Sequence, residues 1–78
     1  MEELVRTIAE SLIDDLTQLD VRTVDNGEEI TIELRVSEAD MGKVIGKQGR
    51  IAKAIRTVVK AVATRENKRV SVEILQAG

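Results

Sequence analysis

From Glu2 onward, Leu4, Ile8, Leu12 and Leu16 recur every four positions with Val5, Ala9 and Ile13 beside them, the spacing of an amphipathic helix. Asp14 and Asp15 oppose the negative end of a helix dipole, so this helix is expected to stop near Asp15. Val21 to Val24 reads as a short strand that ends at Asp25-Asn26-Gly27, where Asn-Gly predicts a tight two-residue hairpin. Ile30 to Val36 then alternates apolar and polar residues without a fault, as a strand with one wet face does. Ser37-Glu38-Ala39-Asp40 resembles a capping box and predicts a short helix that Gly46 breaks after Ile45. A longer helix follows from about Arg50 to Arg65, with Asn67 as a left-handed stop, and Arg69 to Leu75 alternates again as a third strand. The order α-β-β-α-α-β predicts an α+β fold, a three-stranded sheet covered on one face by three helices. With no proline and no low-complexity tract to mark a linker, residues 1–78 are expected to form a single domain.

On the wheel of the long helix, Ile51, Ile55, Val58 and Val62 fall within about 60° and are the expected core face. Lys53, Arg56 and Lys60 lie opposite. They read as a solvated face, of which only Lys53 stands near enough to the preceding glycines to touch a ligand. Ala52, Val59 and Ala63 make a second stripe of small residues at the edge of the core, with a lesser claim to a dimer contact.

Composition narrows the chemistry. There is no cysteine and no histidine, which removes disulfides, thiolate metal sites, the commonest metal ligand and the usual general base. No cofactor, metal or small-molecule substrate is expected, and the chain does not read as an enzyme. Phe, Trp and Tyr are also absent, so the core must be Ile, Leu, Val and Ala, and bases cannot stack on aromatic rings. The acidic start and the lack of any long apolar run argue for a cytoplasmic protein with no membrane segment.

Charge is divided sharply along the chain. Residues 1–40 hold twelve acids and three bases, whereas residues 41–65 hold Lys43, Lys47, Arg50, Lys53, Arg56, Lys60 and Arg65 and no acid. The net charge of −2 therefore conceals a cationic region able to attract an anion. At its centre is Gly46-Lys47-Gln48-Gly49. Glycines at both ends let the chain reverse and let its backbone N–H groups approach an outside group, at a helix start where the dipole favours phosphate. A nucleotide-hydrolysing loop does not fit. Gly42 and Gly46 are one residue too close for G-x-x-x-x-G-K-[ST], Gln48 stands where a Mg²⁺-binding hydroxyl belongs, and no G-x-G-x-x-G is present.

Val44-Ile45-Gly46-Lys47-Gln48-Gly49-Arg50-Ile51 resembles the V-I-G-x-x-G-x-x-I core of KH domains, whose glycine loop clamps about four nucleotides. The order of elements is similar to the type II arrangement, with the additional helix and strand first. Over nearly its whole length the chain resembles the small single-domain bacterial KH proteins of the KhpA (YlqC-like) family. It departs from them at Leu16-Thr17-Gln18-Leu19, where members often carry a proline.

The resemblance implies single-stranded RNA binding without catalysis, in an RNA chaperone or post-transcriptional regulator. Carried over by position, it implies Lys43, Val44, Ile45, Gly46, Lys47, Gln48, Gly49, Arg50, Ile51 and Lys53 as the RNA-binding residues. Val44, Ile45 and Ile51 would floor a narrow groove, closed on its other side by the Leu34-to-Val36 strand edge. Such a groove favours pyrimidines and reads sequence loosely. The implied partners, besides RNA, are a second copy or a larger KH-containing protein of the Jag (KhpB) type. A different class of function, a dimerisation subunit that recruits that partner with RNA contact secondary, is the alternative.

Overall fold

In a computed structural model, which describes every residue from Met1 to Gly78, the chain forms α1 (Glu2–Leu12), β1 (Asp20–Asp25), β2 (Ile30–Val36), α2 (Met41–Ile45), α3 (Arg50–Arg65) and β3 (Val70–Gln76). Short 3-10 turns stand at Leu16–Gln18, Glu38–Asp40 and Lys47–Gly49. The sheet order is β1-β2-β3, with β1 antiparallel and β3 parallel to the central β2. A parallel neighbour needs a long crossover, and α2 and α3 supply it. This is the α+β architecture that the sequence pattern predicts.

The alternation of β2 decides which sheet face is covered. Ile32, Leu34 and Val36 are 0% exposed beneath the helices, joined by Val21 of β1 and Val72 of β3. Arg22, Glu33, Arg35 and Glu73 take the opposite, open face, where Arg35 pairs with Glu33 at 2.9 Å. Val5 and Ala9 of α1, Val44 of α2 and Ile55 and Val59 of α3 complete the core. Burial of each Val, Ile or Leu side chain among them contributes about 1.5–3 kcal/mol.

Three boundaries differ from expectation, each for a local reason. The helix α1 ends at Leu12 and Ile13 is already extended, because the N–H groups of Asp14 and Asp15 donate to the Asp40 carboxylate instead of continuing the helix. Leu16 therefore leaves the apolar stripe and is 55% exposed in a 3-10 turn capped by Asp15. The β1–β2 connection is a longer loop, not a two-residue hairpin. Asn26 accepts from the N–H groups of Glu28 and Glu29 through its side chain, and only Gly27 has positive φ, at 93°. Ser37 does cap the N–H of Asp40, but the Asp40 carboxylate turns away from a capping box toward the end of α1.

The C-terminus of α3 is a full Schellman motif. Asn67 stands at φ 56°, Lys68 N–H reaches Ala63 O at 2.9 Å and Asn67 N–H reaches Thr64 O at 3.2 Å. This reversal sends the chain straight back along α3 as β3.

The core face of α3 is not the expected one. Its buried residues are Ala52, Ile55, Val59 and Ala63, while Val58 is 43% exposed and Ile51 and Val62 are half-buried. The inward direction is turned about 80° on the wheel from the centre of the predicted stripe. Ala52 and Ala63 let α3 lie close on the sheet, and closeness rather than bulk sets its orientation. The small-residue stripe is thus core throughout and offers nothing to a partner.

Candidate nucleic-acid interface

Helix α2 stops because Gly46 adopts φ 77°, ψ 174°, outside any helical conformation. Gln48 (φ 56°) and Gly49 (φ 73°) then follow in the left-handed region before α3 begins. Gly46 is required sterically as well. A Cβ there would lie 2.6 Å from Ile51 Cγ1, whereas a Cβ on Gly49 would meet nothing within 4 Å. The loop is tied to α2 by Gly46 N–H to Gly42 O at 2.9 Å and to itself by Gly49 N–H to Gly46 O at 3.1 Å. No side chain caps the first turn of α3, and the N–H of its first residue, Arg50, donates to Lys47 O within the turn.

Lys47, Gln48, Arg50 and Lys53 are all exposed around this turn. None of the ion pairs in the molecule uses Lys47, Arg50 or Lys53, and the one local contact is Arg50 to Gln48 Oε1 at 3.3 Å. Lys43 is placed differently. Its ammonium is bonded to Asp14 and lies 3.3 Å from Asp40, and these carboxylates, Asp14 foremost, hold it above its ordinary pKa. Asp40 is 1% exposed, and the N–H donors of Asp15 and Asp14, opposed by burial, lower its pKa to about 2.

The expected apolar floor is distributed over different surfaces. Val44 is 0% exposed and supports the loop from inside. Ile45 is half-buried against the core, and Ile51 packs under Gly46 and faces α1. The Leu34-to-Val36 edge cannot close a groove, because β2 is paired on both sides and its Leu34 and Val36 side chains are 0% exposed. Of the two edge strands, β1 and β3, the one beside α3 in this region is β3. Between it and α3 lies a depression of about 220 Å³ lined by Arg56, Lys60, Val70, Ser71 and Val72. Arg56 Nε donates to Val72 O at 3.2 Å, so this side chain, expected to be merely solvated, is fixed on the strand. The turned orientation of α3 brings it there, a consequence that the helical wheel drawn from bulky residues conceals.

Two other concavities have a different character. The largest, about 810 Å³, lies at the start of α2 and includes Asp14, Asp15, Glu38 and Asp40, a setting that repels phosphate. The other is an apolar hollow of about 300 Å³ between α1 and α3, formed by Ile8, Leu12, Ile51, Ala54, Ile55 and Val58 with Arg50 at its rim.

A three-stranded sheet with a parallel β2–β3 pair, a glycine turn joining the two crossover helices and an additional helix and strand placed first define a KH domain of the second type. Residues 2–74 match the family model described as KhpA/KhpB, KH domain, and the chain belongs to that non-catalytic family. It is 63% identical over 75 residues to the RNA-binding protein KhpA of Clostridium perfringens, covering 96% of this chain and 100% of that protein. The RNA-binding protein KhpA of Clostridium acetobutylicum is 59% identical over the same shares. That of Aquifex aeolicus is 42% identical over 97% of this chain and 96% of its own.

Among solved structures, Aquifex aeolicus Era Y63A bound to GDP·AlF4⁻ superposes with a TM-score of 0.63 at 23% identity, over 96% of this chain and 29% of Era. Era in complex with MgGDPNP and nucleotides 1506–1542 of 16S ribosomal RNA superposes with a TM-score of 0.57, also at 23% identity. This likeness concerns the fold alone. No helix of the chain is long and apolar enough to cross a membrane.

Proposed function

We propose that the chain binds single-stranded RNA non-catalytically, gripping about four nucleotides at the Gly46–Gly49 turn, and acts as an RNA chaperone or post-transcriptional regulator. The observation that carries this reading is the exposure of Lys47 and Gln48 on a turn whose cations have no carboxylate partner. The sugar-phosphate strand lies over the loop amides and the start of α3, with Lys47, Arg50 and Lys53 about the phosphates. Gly46 and Gly49 allow the approach, and Val44, Ile45 and Ile51 hold the turn from beneath. Lys43 stands behind the turn, shared with Asp14 and Asp40. Bases point into the space between α3 and the β3 edge. The names of the KhpA relatives and the family match support the assignment.

The test is the double variant Lys47→Asp/Gln48→Asp in a gel-shift or filter assay. Both positions are exposed, and Asp tolerates the left-handed backbone of residue 48, so the thermal midpoint should stay within a few degrees of wild type. RNA binding should disappear. Binding equal to wild type overturns the reading.

The second reading is self-association or docking on a larger KhpB-type protein. The apolar hollow between α1 and α3, with Val58 43% exposed, favours it. The helix α1 carries Glu2, Glu3 and Glu10 against one base, Arg6, while α3 carries only bases among its charged residues. A two-fold arrangement of two copies sets the acidic helix of each against the basic helix of the other. Light scattering of the wild type and of Val58→Lys, the latter monomeric, tests it. A wild type monomeric at every concentration removes the homodimer.

A further inference from the structure

The edge strand β3 presents half of its peptide groups to the groove. Arg69 O accepts from Ile30 N–H and Ala77 N–H donates to Val36 O, both at 2.8 Å. Residues 69, 71, 73, 75 and 77 therefore face β2, and Val70, Val72 and Ile74 turn their N–H and C=O groups outward toward α3. One of these outward carbonyls, on Val72, is held by Arg56 Nε at 3.2 Å. Arg56 makes no ion pair, so its charge is not neutralised within the protein.

A guanidinium is a rigid plane. Fixing Nε to the strand fixes the direction of the paired Nη donors, which have no hydrogen-bond partner in the protein. Lys53 and Lys60, on the same flank of α3, are long flexible point charges with no such anchor. The groove thus contains one oriented donor pair among flexible point charges that have no fixed direction.

We propose that Arg56 is the specificity-determining residue of this groove. It reads a base edge bearing two adjacent acceptors, cytosine O2/N3 or guanine O6/N7, and discriminates against uracil and adenine, whose edges alternate acceptor with donor. The inference rests on the RNA-binding reading above and replaces loose selection by base size with selection by donor pattern. The anchoring bond to Val72 O and the free Nη pair act together: the strand positions the fork, and the fork meets the base.

The test uses the full chain and four RNA decamers at one fixed salt concentration: decauridine, and decauridine with two central cytidines, guanosines or adenosines. The cytidine or the guanosine decamer should bind roughly tenfold tighter than the uridine and adenosine decamers, and which one does so identifies the base. Arg56→Lys keeps the charge and removes the fork, and should bring that ratio to about one. Arg56→Gln should do the same. Lys53→Ala should weaken all four decamers alike and leave the ratio standing. In wild-type protein, the Arg56 side-chain Hε resonance should shift with the preferred decamer and not with decauridine, a readout that needs no variant to fold.

Equal binding of all four decamers by wild type, or a ratio preserved in Arg56→Lys, overturns the assignment and leaves RNA binding intact. Failure of wild type to bind any decamer overturns the RNA reading and the assignment with it.

Discussion

Gly46 lies against Ile51 so closely that a single added carbon would come within 2.6 Å of its Cγ1. The glycine turn is therefore shaped from below as well as by its own dihedrals, and its two glycines are not equivalent. Gly46→Ala combines a positive-φ penalty with this collision, whereas Gly49→Ala suffers the φ penalty alone, in open space. A left-handed alanine, as at residue 49, costs about 1–2 kcal/mol. Residue 46, at ψ 174°, lies in a region open essentially to glycine alone, and overpacking there adds about 1–3 kcal/mol. Thermal denaturation should show Gly46→Ala several degrees below Gly49→Ala. Equal midpoints would mean that Ile51 yields freely.

Asp40 joins the end of α1 to the start of α2 through Asp14 N–H at 3.2 Å, Asp15 N–H at 3.0 Å and Ser37 Oγ at 3.0 Å. Its folded pKa, about 2, lies below the ordinary 3.8 of the unfolded chain. A depressed carboxylate stabilises the fold above its unfolded pKa, and the contribution disappears as pH falls from about 4 toward 2. Asp40→Asn should lower the melting temperature at pH 7 and flatten this acid limb. A mutant with an unchanged limb would assign the acid sensitivity to other carboxylates.

With Lys47, Arg50 and Lys53 as the phosphate-facing cations, the slope of log K against log salt should be about −2, at about −0.7 per contact on a single strand. Lys53→Ala should reduce it to about −1.4. A slope steeper than about −4 in the wild type would show that the contact surface extends well beyond the turn.

The close approach of α3 to the sheet depends on Ala63, 2% exposed. Ala63→Leu should destabilise the domain by about 1–3 kcal/mol, read from urea midpoints. Val58→Thr, on the exposed flank, should stay within about 0.5 kcal/mol. The reverse ranking would restore the stripe of bulky residues as the true core face.

The elements most legible in the sequence were those whose signals are local. Strand β2, with uninterrupted alternation, and helix α3, bounded by Gly49 and Asn67, fall where the pattern puts them. The end of α1 was not legible, because the acceptor that ends it, Asp40, lies 26 residues away from Asp14. Nor was the facing of α3. Hydrophobic size nominates Val58, while the nearness permitted by Ala52 and Ala63 selects another side. The glycine turn and its cations could be read directly. The second wall of the groove could not, since neither the edge position of β3 nor the reach of Arg56 has any signature in residue types.

The central strand pairs with β3 across 40 residues of chain, as Thr31 and Ser71 illustrate. The glycine turn at 46–49 is local in sequence, whereas the strand beside it must be brought in from the far end of the chain. Long-range pairing of this kind forms late. A chain truncated before Val70 would keep the residues of the basic turn and lose the strand on which Arg56 is held. If the proposed groove is the binding site, its selectivity would require the complete three-stranded sheet, and a chain cut short of β3 would retain charge without shape.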